Sequence, residues 1–221
     1  WGQQVVVDSR GGASGIIGME IAAHATPDGY NVLMTDLGTL SINPAVFRKL
    51  PYDTLRDFQP VTKVGNIPLS CAVHPSLRVS TLKEFIALAK SKPGDTRYGS
   101  AGNGSSNHLS GEVLKVLTRA PMEHVPYKGS GPAMTDVMAG NITGMFDVLI
   151  TSIPQINAGR VRALAVTSAK RSPYVPEVPT MDESGVPGYN EAGSDLWFGI
   201  VGPAGIPRPI VRKLNEKLIE A

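Results

Sequence analysis

The chain has 221 residues, of which 42% are hydrophobic, 18% are charged and 6% are aromatic, and its formal net charge is +2. These values are typical of a globular protein of one or two domains. Because the charge is small and scattered and aromatic residues are few, the composition argues against a nucleic-acid partner. No run of 18 apolar residues is present, which argues against direct membrane insertion.

Short apolar runs alternate with helical patterns along the whole chain. In chain order, the predicted strands are Gln4–Val7, Asn31–Thr35, Pro60–Val64, Leu69–Val73, Arg97–Tyr98, Met122–Val125, Gly144–Leu149, Val161–Val166 and Trp197–Val201. The predicted helices are Ser14–Ala25, Thr81–Ser91, Ser106–Thr118, Gly131–Ala139, Ile153–Ala158 and Arg208–Ile219. Thr81 and Glu84 have the spacing of a capping box at the start of the second of these helices. This alternation predicts an α/β protein with parallel sheets and helices on both sides, which binds ligands at the carboxyl ends of the strands.

Two α/β blocks can be separated in the pattern. We expect a discontinuous domain 1, formed by residues 1–70 and 191–221, and a domain 2 formed by residues 71–190. The chain would cross between them near Pro68–His74 and near Ala192–Trp197, which gives a cleft with a two-stranded hinge. Because the chain starts at Trp1 and ends inside an amphipathic pattern, we also expect domain 1 to be truncated at both ends.

A glycine-rich loop follows the first predicted strand in "VVVDSRGGASGIIGMEIAAHA". Its spacing, Gly12-x-x-Gly15-x-x-Gly18, fits neither the dinucleotide fingerprint nor the phosphate-binding P-loop. A helix that starts near Ser14 would still point free backbone N–H groups and a positive dipole end at a ligand. The alternative is that the glycines only permit a tight turn between strand and helix.

Three further loops repeat this arrangement after predicted strands, in "YGSAGNGSSNHLSGEVLKVL", "VPYKGSGPAMTDVMAG" and "MTDLGTLSINPAVF". Ser105 or Ser106 can cap the helix that follows the first of them. Pro132 suits the first turn of the helix in the second. Four neutral loops rich in hydrogen-bond donors suit a carboxylate ligand, and several such hydrogen bonds could reach micromolar affinity, about 8 kcal/mol. For each loop taken alone, an ordinary turn between strand and helix is the favoured interpretation.

Enzymatic alternatives start from Ser105, His108 and Asp147, which are the residue types of a hydrolase triad. No G-x-S-x-G elbow is present, and a histidine one turn inside the helix would point away from its own cap serine. The pair His108 and His124 has no supporting metal-ligand spacing. Cys71 and His74 look like a C-x-x-H pair, but on a strand residues three apart face opposite sides. Cys71 is the single cysteine, so it excludes an internal disulfide, and we expect it to be a buried core thiol.

Several segments together resemble the substrate-binding proteins of tripartite tricarboxylate transporters, the Bug or TctC family. The matching stretches cover nearly the whole chain in the family's order and include "VVVDSRGGASGIIGMEIAA", "YGSAGNGSSNHLSGEVLK", "VPYKGSGPAMTDVMAGNI", "EVPTMDESGVPGYN" and "WFGIVGPAGIPRPIVRKLN". The combination of "VPYKG" with "PTMDESGVPGY" is specific, whereas the single glycine loops are not.

The resemblance implies a two-domain periplasmic-binding-protein fold of type II, the Venus flytrap, with no catalysis and no cofactor. It implies a periplasmic monomer that captures a small carboxylate and delivers it to the membrane subunits of a transporter. The family's ligand contacts match Ser14, Thr39, Leu40, Ser100, Gly104, Ser105, His108 and Asp147. A dicarboxylate, an acidic amino acid and an aromatic acid all remain possible ligands. An α/β enzyme, either a hydrolase or a dinucleotide-dependent enzyme, and a carboxylate sensor subunit are the alternative functions.

Overall fold

The structure is a computed structural model that describes residues 2–192 and 196–220. Within these ranges the chain forms eight strands, which are β1 (Leu33–Asp36), β2 (Phe58–Asn66), β3 (Leu69–Val73), β4 (Arg97–Ser100), β5 (Glu123–Pro126), β6 (Gly144–Val148), β7 (Arg162–Val166) and β8 (Trp197–Pro203). The helices are α1 (Ile16–Ala23), α2 (Asn43–Val46), α3 (Leu82–Ser91), α4 (Ser106–Thr118), α5 (Ser130–Met138), α6 (Leu149–Asn157) and α7 (Arg208–Ile219). A π-helical turn, Gly38–Ile42, precedes α2.

The strands form two separate sheets. The first has the order β1-β8-β2 and is antiparallel throughout its described strands. The second has the order β5-β4-β6-β3-β7, in which β4 runs parallel to β5 and β6, whereas β3 runs antiparallel to β6 and β7. The prediction of parallel sheets is therefore wrong for the first sheet and right only for part of the second. In the first sheet the reason is that β8, from a distant part of the sequence, is inserted between β1 and β2. In the second sheet, β3 is antiparallel to both of its neighbours.

The predicted strand Gln4–Val7 is wrong as well. No strand or helix includes these residues, and the side chains of Val5, Val6 and Val7 are 80–87% exposed. A strand is stable only when a neighbour completes its hydrogen-bond ladder and a core covers one of its faces. Apolar composition alone does not supply either of these.

The capping box of α3 is confirmed. Thr81 Oγ1 accepts a hydrogen bond from Glu84 N at 3.2 Å, and Glu84 Oε2 accepts one from Thr81 N at 3.3 Å. The helix buries Leu82, Phe85 and Ala89 against the second sheet. Cys71, on β3, lies in the same core as a free buried thiol, as expected.

The two sheets are linked by two crossovers that lie side by side. The backbone N–H of Ile67 donates to the carbonyl oxygen of Leu196 at 2.8 Å, just before β3 and just before β8. All of Leu69–Val73 is buried in the second sheet, so the first crossover is at Ile67 and Pro68 and does not extend to His74. Residues 193–195 of the second predicted crossover lie outside the described residues. A helix long and apolar enough to cross a membrane is not found in the described part of the chain.

Candidate functional site

The opening glycine loop packs directly against the loop that follows β1. Residues Ala13–Gly15 form a 3-10 turn, so α1 begins at Ile16 and not at Ser14. Gly15 has a φ of +82°, and a Cβ atom at this position would collide with the side chain of Thr39. Only glycine satisfies both conditions, so this glycine serves the close approach of two loops.

These loops meet the loop that follows β4 across the gap between the two sheets. Ser14 Oγ donates to the carbonyl oxygen of Asn103 at 2.5 Å, and Ser106 Oγ donates to Asp36 Oδ2 at 3.1 Å. Asn43 Nδ2 in turn donates to the carbonyl oxygen of Ser14 at 3.0 Å. We call this set of hydrogen bonds the intersheet contact; it joins the β1 side of the molecule to the start of α4.

Thr39 and Leu40 stabilise the first-sheet half of this contact. Thr39 N donates to Asp36 Oδ1 at 3.0 Å, and Tyr52 Oη donates to the carbonyl oxygen of Thr39 at 2.8 Å. The side chain of Leu40 packs against the core cluster of the first sheet, which includes Tyr52. The contact is therefore built on a loop that its own side chains hold in place.

Ser105 and His108 do not form a catalytic pair. Ser105 Oγ caps α4 by accepting from His108 N at 3.3 Å and donates to the carbonyl oxygen of Gly102 at 2.7 Å. The His108 ring instead accepts, at Nδ1, from Gly104 N at 3.1 Å. Since the serine hydroxyl has no hydrogen bond to the ring and Asp147 contacts neither residue, the hydrolase arrangement is not assembled.

The two histidines behind this loop stack on each other. The rings of His108 and His124 lie 3.9 Å apart between centroids with an interplanar angle of 22°. Ser100 Oγ and His124 Nε2 share a hydrogen bond of 2.6 Å. Burial lowers the pKa of both imidazoles, and with His108 beside it the pKa of His124 falls to about 4. A group of three or more acidic, histidine or cysteine side chains able to hold a metal is not found in residues 2–192 and 196–220.

A cavity of about 570 Å³ lies between the two sheets, next to the intersheet contact. Its apolar lining comes from both sheets and their helices, and includes Met34, Ile67, Met134, Met138, Ile150 and Phe198. Its polar lining comes from Ser130, Thr135, Asp147, Thr151 and Gln155. No lysine, arginine or histidine is among the described residues that line it.

Asp147 is the one ionisable group of this lining. It is 2% exposed at the end of β6, and its Oδ2 accepts from Thr151 Oγ1 at 2.9 Å and from Ser152 Oγ at 3.1 Å. Its Oδ1 is buried without a hydrogen-bond partner. Burial raises the pKa of this carboxyl group, and hydrogen bonds from nearby hydroxyls oppose the shift. Most buried polar atoms in folded proteins have a hydrogen-bond partner, so this oxygen is an exception.

The start of α5 faces the same cavity. Its N-cap is Gly129, no side chain caps this end, and Ser130 and Gly131 line the cavity. The first backbone N–H groups of a helix have no partner within the helix and carry its positive dipole end. This end therefore offers hydrogen-bond donors to an anion, beside the carboxyl group of Asp147.

The predicted site residues fall into three groups. Asp147 lines the cavity, and Ser100 and Leu40 lie behind the intersheet contact. The others belong to the intersheet contact or to the loops that build it: Ser14, Thr39, Gly104, Ser105 and His108. Met34 and Asp36 show that the two regions adjoin. They are two residues apart on β1, so their side chains share a face, roughly 7 Å apart along the strand. Met34 lines the cavity and Asp36 accepts from Ser106.

Nothing in the sequence pattern marks the methionines of the lining as site residues. Met134 and Met138 have the i, i+4 spacing of one helix face, which in a single sequence is indistinguishable from an ordinary core face. The signal that could have distinguished them is their place in the helix that follows the glycine loop Gly129–Gly131.

Comparisons with known proteins bear on the whole chain. The family TctC, described as "Tripartite tricarboxylate transporter family receptor", matches residues 1–221. The Protein BugT of Bordetella pertussis is 36% identical over 221 residues, which are 100% of this chain and 67% of that protein. The chain spans between 62% and 67% of the length of the curated relatives that it matches along nearly its whole length.

Solved structures agree with the sequence matches. The structure of R. palustris Rpa4515 with adipate superimposes with a TM-score of 0.93 at 37% identity, and the match covers 99% of this chain and 72% of that one. MatC (Rpa3494) from Rhodopseudomonas palustris with bound malate gives a TM-score of 0.86 at 32% identity over 95% of this chain and 70% of that one.

Proposed function

Because the chain belongs to the TctC family of tripartite tricarboxylate transporter receptors, we propose that it is a periplasmic solute-binding protein that captures a small carboxylate between its two lobes. The fold is the two-domain periplasmic-binding-protein fold, with one sheet in each lobe. Residues 1–70 and 191–221 would form one lobe, and residues 71–190 the other. The protein would act as a monomer that delivers its ligand to the membrane subunits of the transporter, with no chemistry and no cofactor.

The observation that carries this proposal is the cavity between the sheets, at which the uncapped start of α5 meets the buried carboxyl group of Asp147. Related proteins hold carboxylates, since Rpa4515 was solved with adipate and MatC with malate. In this chain the backbone N–H groups at the start of α5 would bind the ligand carboxylate. Hydrogen bonds to a charged group contribute about 1.5–3 kcal/mol each.

The remaining predicted residues would act around this position. Ser14, Thr39, Leu40, Ser100, Gly104, Ser105 and His108 lie at or behind the intersheet contact beside the cavity. We propose that they contact ligand or hold the closed arrangement in which the ligand is enclosed. Ligand entry would then require the lobes to separate by a hinge motion at the Ile67–Leu196 crossover pair.

Thermal unfolding in the presence of candidate ligands tests the proposal. We expect a rise in Tm with at least one carboxylate from a panel of dicarboxylates, amino acids and aromatic acids, and none with NAD, NADP or ATP. A ligand at about 100 times its Kd adds about 2.7 kcal/mol, which corresponds to several degrees for a protein of this size. A shift with a nucleotide and with no carboxylate would overturn the proposal in favour of an enzyme.

A pair of substitutions tests where the carboxylate binds. Ser130→Pro removes the first free N–H of α5 at the position where proline is best tolerated, and Ser130→Ala removes only the hydroxyl. We expect Ser130→Pro to weaken carboxylate binding about tenfold or more in titration calorimetry, and Ser130→Ala to weaken it less. Equal affinities of the two variants would place the carboxylate elsewhere.

A further inference from the structure

Asp36, the last residue of β1, reaches from the first lobe to the second with one of its two carboxylate oxygens. Its Oδ1 accepts from Thr39 N at 3.0 Å, and Thr39 Oγ1 lies 2.9 Å from the same oxygen, so these partners belong to its own lobe. Its Oδ2 accepts from Ser106 Oγ of the second lobe at 3.1 Å. The carboxylate is therefore held in place by its own loop, and its second oxygen is presented to the other lobe.

Ser106, the partner in the second lobe, is the first residue of α4, a helix of 13 residues, and it is buried. The first turn of a helix carries the positive end of the helix dipole, which stabilises a carboxylate beside it. The described first turn of α4 has no acidic side chain of its own, and none of the ion pairs among the described residues includes Asp36. The start of α4 is therefore the positive group that Asp36 meets.

The packing around Gly38 shows how closely the lobes meet at this point. A Cβ atom at Gly38 would lie 3.3 Å from both carboxylate oxygens of Asp36 and 3.4 Å from the carbonyl oxygen of Gly104, in the loop before α4. The carboxylate of the first lobe and the loop of the second lobe therefore both pack against Gly38. Separation of the lobes would break this packing together with the hydrogen bond to Ser106.

The starts of α4 and α5 have different partners. The start of α5 has no side-chain cap and lines the cavity, whereas the start of α4 meets Asp36. A ligand carboxylate at the start of α5 does not compete with Asp36 for α4. Both partners of the bond between Asp36 and Ser106 belong to the protein, so the bond can form before a ligand enters.

We propose that Asp36 is a latch that favours the closed arrangement of the lobes before ligand binds, by placing its carboxylate at the start of α4. This inference rests on the proposed function, but it concerns the equilibrium between open and closed lobes and not the identity of the ligand. A charge-assisted hydrogen bond is stronger than a neutral one, such as the bond from Ser14 Oγ to the carbonyl oxygen of Asn103. Because the closed form is the one that encloses ligand, the apparent affinity rises with the closed fraction.

Small-angle X-ray scattering tests the latch on protein that has been freed of ligand by dialysis in denaturant and refolded. The variant is Ser106→Ala, and the matched control is Ser110→Ala, at a second buried serine of α4 whose hydroxyl makes no described hydrogen bond to the first lobe. We expect a larger radius of gyration for Ser106→Ala than for the unmodified protein, and no change for Ser110→Ala. If Ser106→Ala and the unmodified protein have the same radius without ligand, Asp36 does not hold the lobes together.

Asp36→Asn provides a second test, because it keeps the size of the side chain and an acceptor for Thr39 N but removes the charge. We expect it to expand the ligand-free protein as well, and the double variant with Ser106→Ala to be no more expanded than Ser106→Ala alone, since both changes break one contact. Additive expansion in the double variant would contradict a shared latch. Asp36→Asn also decides the proposal if Ser106→Ala fails to fold.

Ligand binding separates the latch from the receptor function. With the tightest-binding carboxylate of the Tm panel at saturation, all variants should have the same radius of gyration, and the affinity of Ser106→Ala should be lower by about threefold or more. A variant that stays expanded with ligand bound would mean that the substitution changes the closed structure and not the equilibrium. If no carboxylate binds, the receptor proposal fails, and the scattering of the ligand-free proteins still decides on the latch.

Discussion

The stacked rings of His108 and His124 are held neutral in the folded protein, because burial lowers both pKa values. In the unfolded chain a histidine has a pKa of about 6.5, so the unfolded state binds more protons than the folded state between that value and the folded pKa of His124, about 4. Stability is therefore present above the unfolded pKa and is lost as the pH falls through this window.

Removing the titrating ring tests this linkage. In His124→Phe we expect a lower stability at neutral pH, since the hydrogen bond with Ser100 is lost, but a smaller further loss between neutral pH and pH 4. The two losses should differ by about 1 kcal/mol, because the rings are only partly buried. Urea unfolding at the two pH values measures it, and parallel pH profiles for the two proteins would contradict the linkage.

Cys71 is protected by the core around it. It is 2% exposed on β3, and burial raises the pKa of its thiol to about 12. Since the thiolate is the reactive form, we expect no labelling by a thiol reagent in native buffer and complete labelling in denaturant. Stoichiometric labelling of the native protein would show that β3 is not buried as described.

Among the elements, α4 approaches β4 unusually closely. Gly111, in the middle of α4, lies against the ring of Tyr98, and a Cβ atom at Gly111 would collide with that ring. Tyr98 is buried, and its hydroxyl donates to Glu112 Oε1 at 2.6 Å on the same helix. The tyrosine therefore fixes the distance between the helix and the sheet that carries the loop of Ser105.

Two helical glycines make a matched test of this packing. Gly111→Ala should lower the free energy of unfolding by about 1–3 kcal/mol through overpacking. Gly18→Ala, in α1, meets only ordinary contacts at 3.9 Å and should be neutral or stabilising, because alanine is the better helix former. The measurement is urea unfolding of both variants, and a stable Gly111→Ala would mean that α4 can move away from β4.

Elements with local signals could be predicted from the sequence, and elements that depend on distant partners could not. The helices α4 and α7 have the predicted bounds, and α3 begins directly after its predicted capping threonine. Gln4–Val7 has strand composition but no partner strand among the described residues. The direction of β8 between β1 and β2 follows from the crossover, which a local pattern does not contain. The short α2 and the π-helical turn before it also lack a periodic signal.

The same distinction between local signals and distant partners applies to the residues of the candidate site. Asp147 could be named from the family resemblance, and the structure places it in the cavity lining. The cavity itself joins Met34 and Phe198 of one sheet to Met134 and Asp147 of the other, and only the packing of the two sheets brings them together. Single-sequence patterns describe each of these residues as a strand or helix core position.

At the scale of the whole molecule, the intersheet contact sets how closely the lobes approach. Gly104 has a φ of +81°, and a Cβ atom at this position would lie only 2.9 Å from Asn43 Oδ1. Asn43 belongs to the first-sheet side, and Gly104 to the loop before α4. A methyl group at Gly104 would thus act as a wedge within the intersheet contact.

Gly104→Ala should hold the lobes apart. We expect a larger radius of gyration in X-ray scattering, and a loss of about tenfold in affinity for the tightest-binding carboxylate, because closure is penalised. Gly94→Ala is the matched control, since Gly94 also has a positive φ, +92°, but no neighbouring atom within 4 Å of a Cβ. If both variants lose the same affinity, backbone strain and not the wedge is responsible.

The position of β8 has a consequence for how the protein is made. The three-stranded sheet has β8 at its centre, yet β8 begins at Trp197, whereas its neighbours end at Asp36 and Asn66. As the chain emerges from the ribosome, β1 and β2 are without their shared partner until all five strands of the second sheet have been synthesised. Contacts between residues so far apart in sequence form late. The lobe that holds α5 and Asp147 can therefore fold first, and the cavity closes over only when the last strand arrives and brings Phe198 with it.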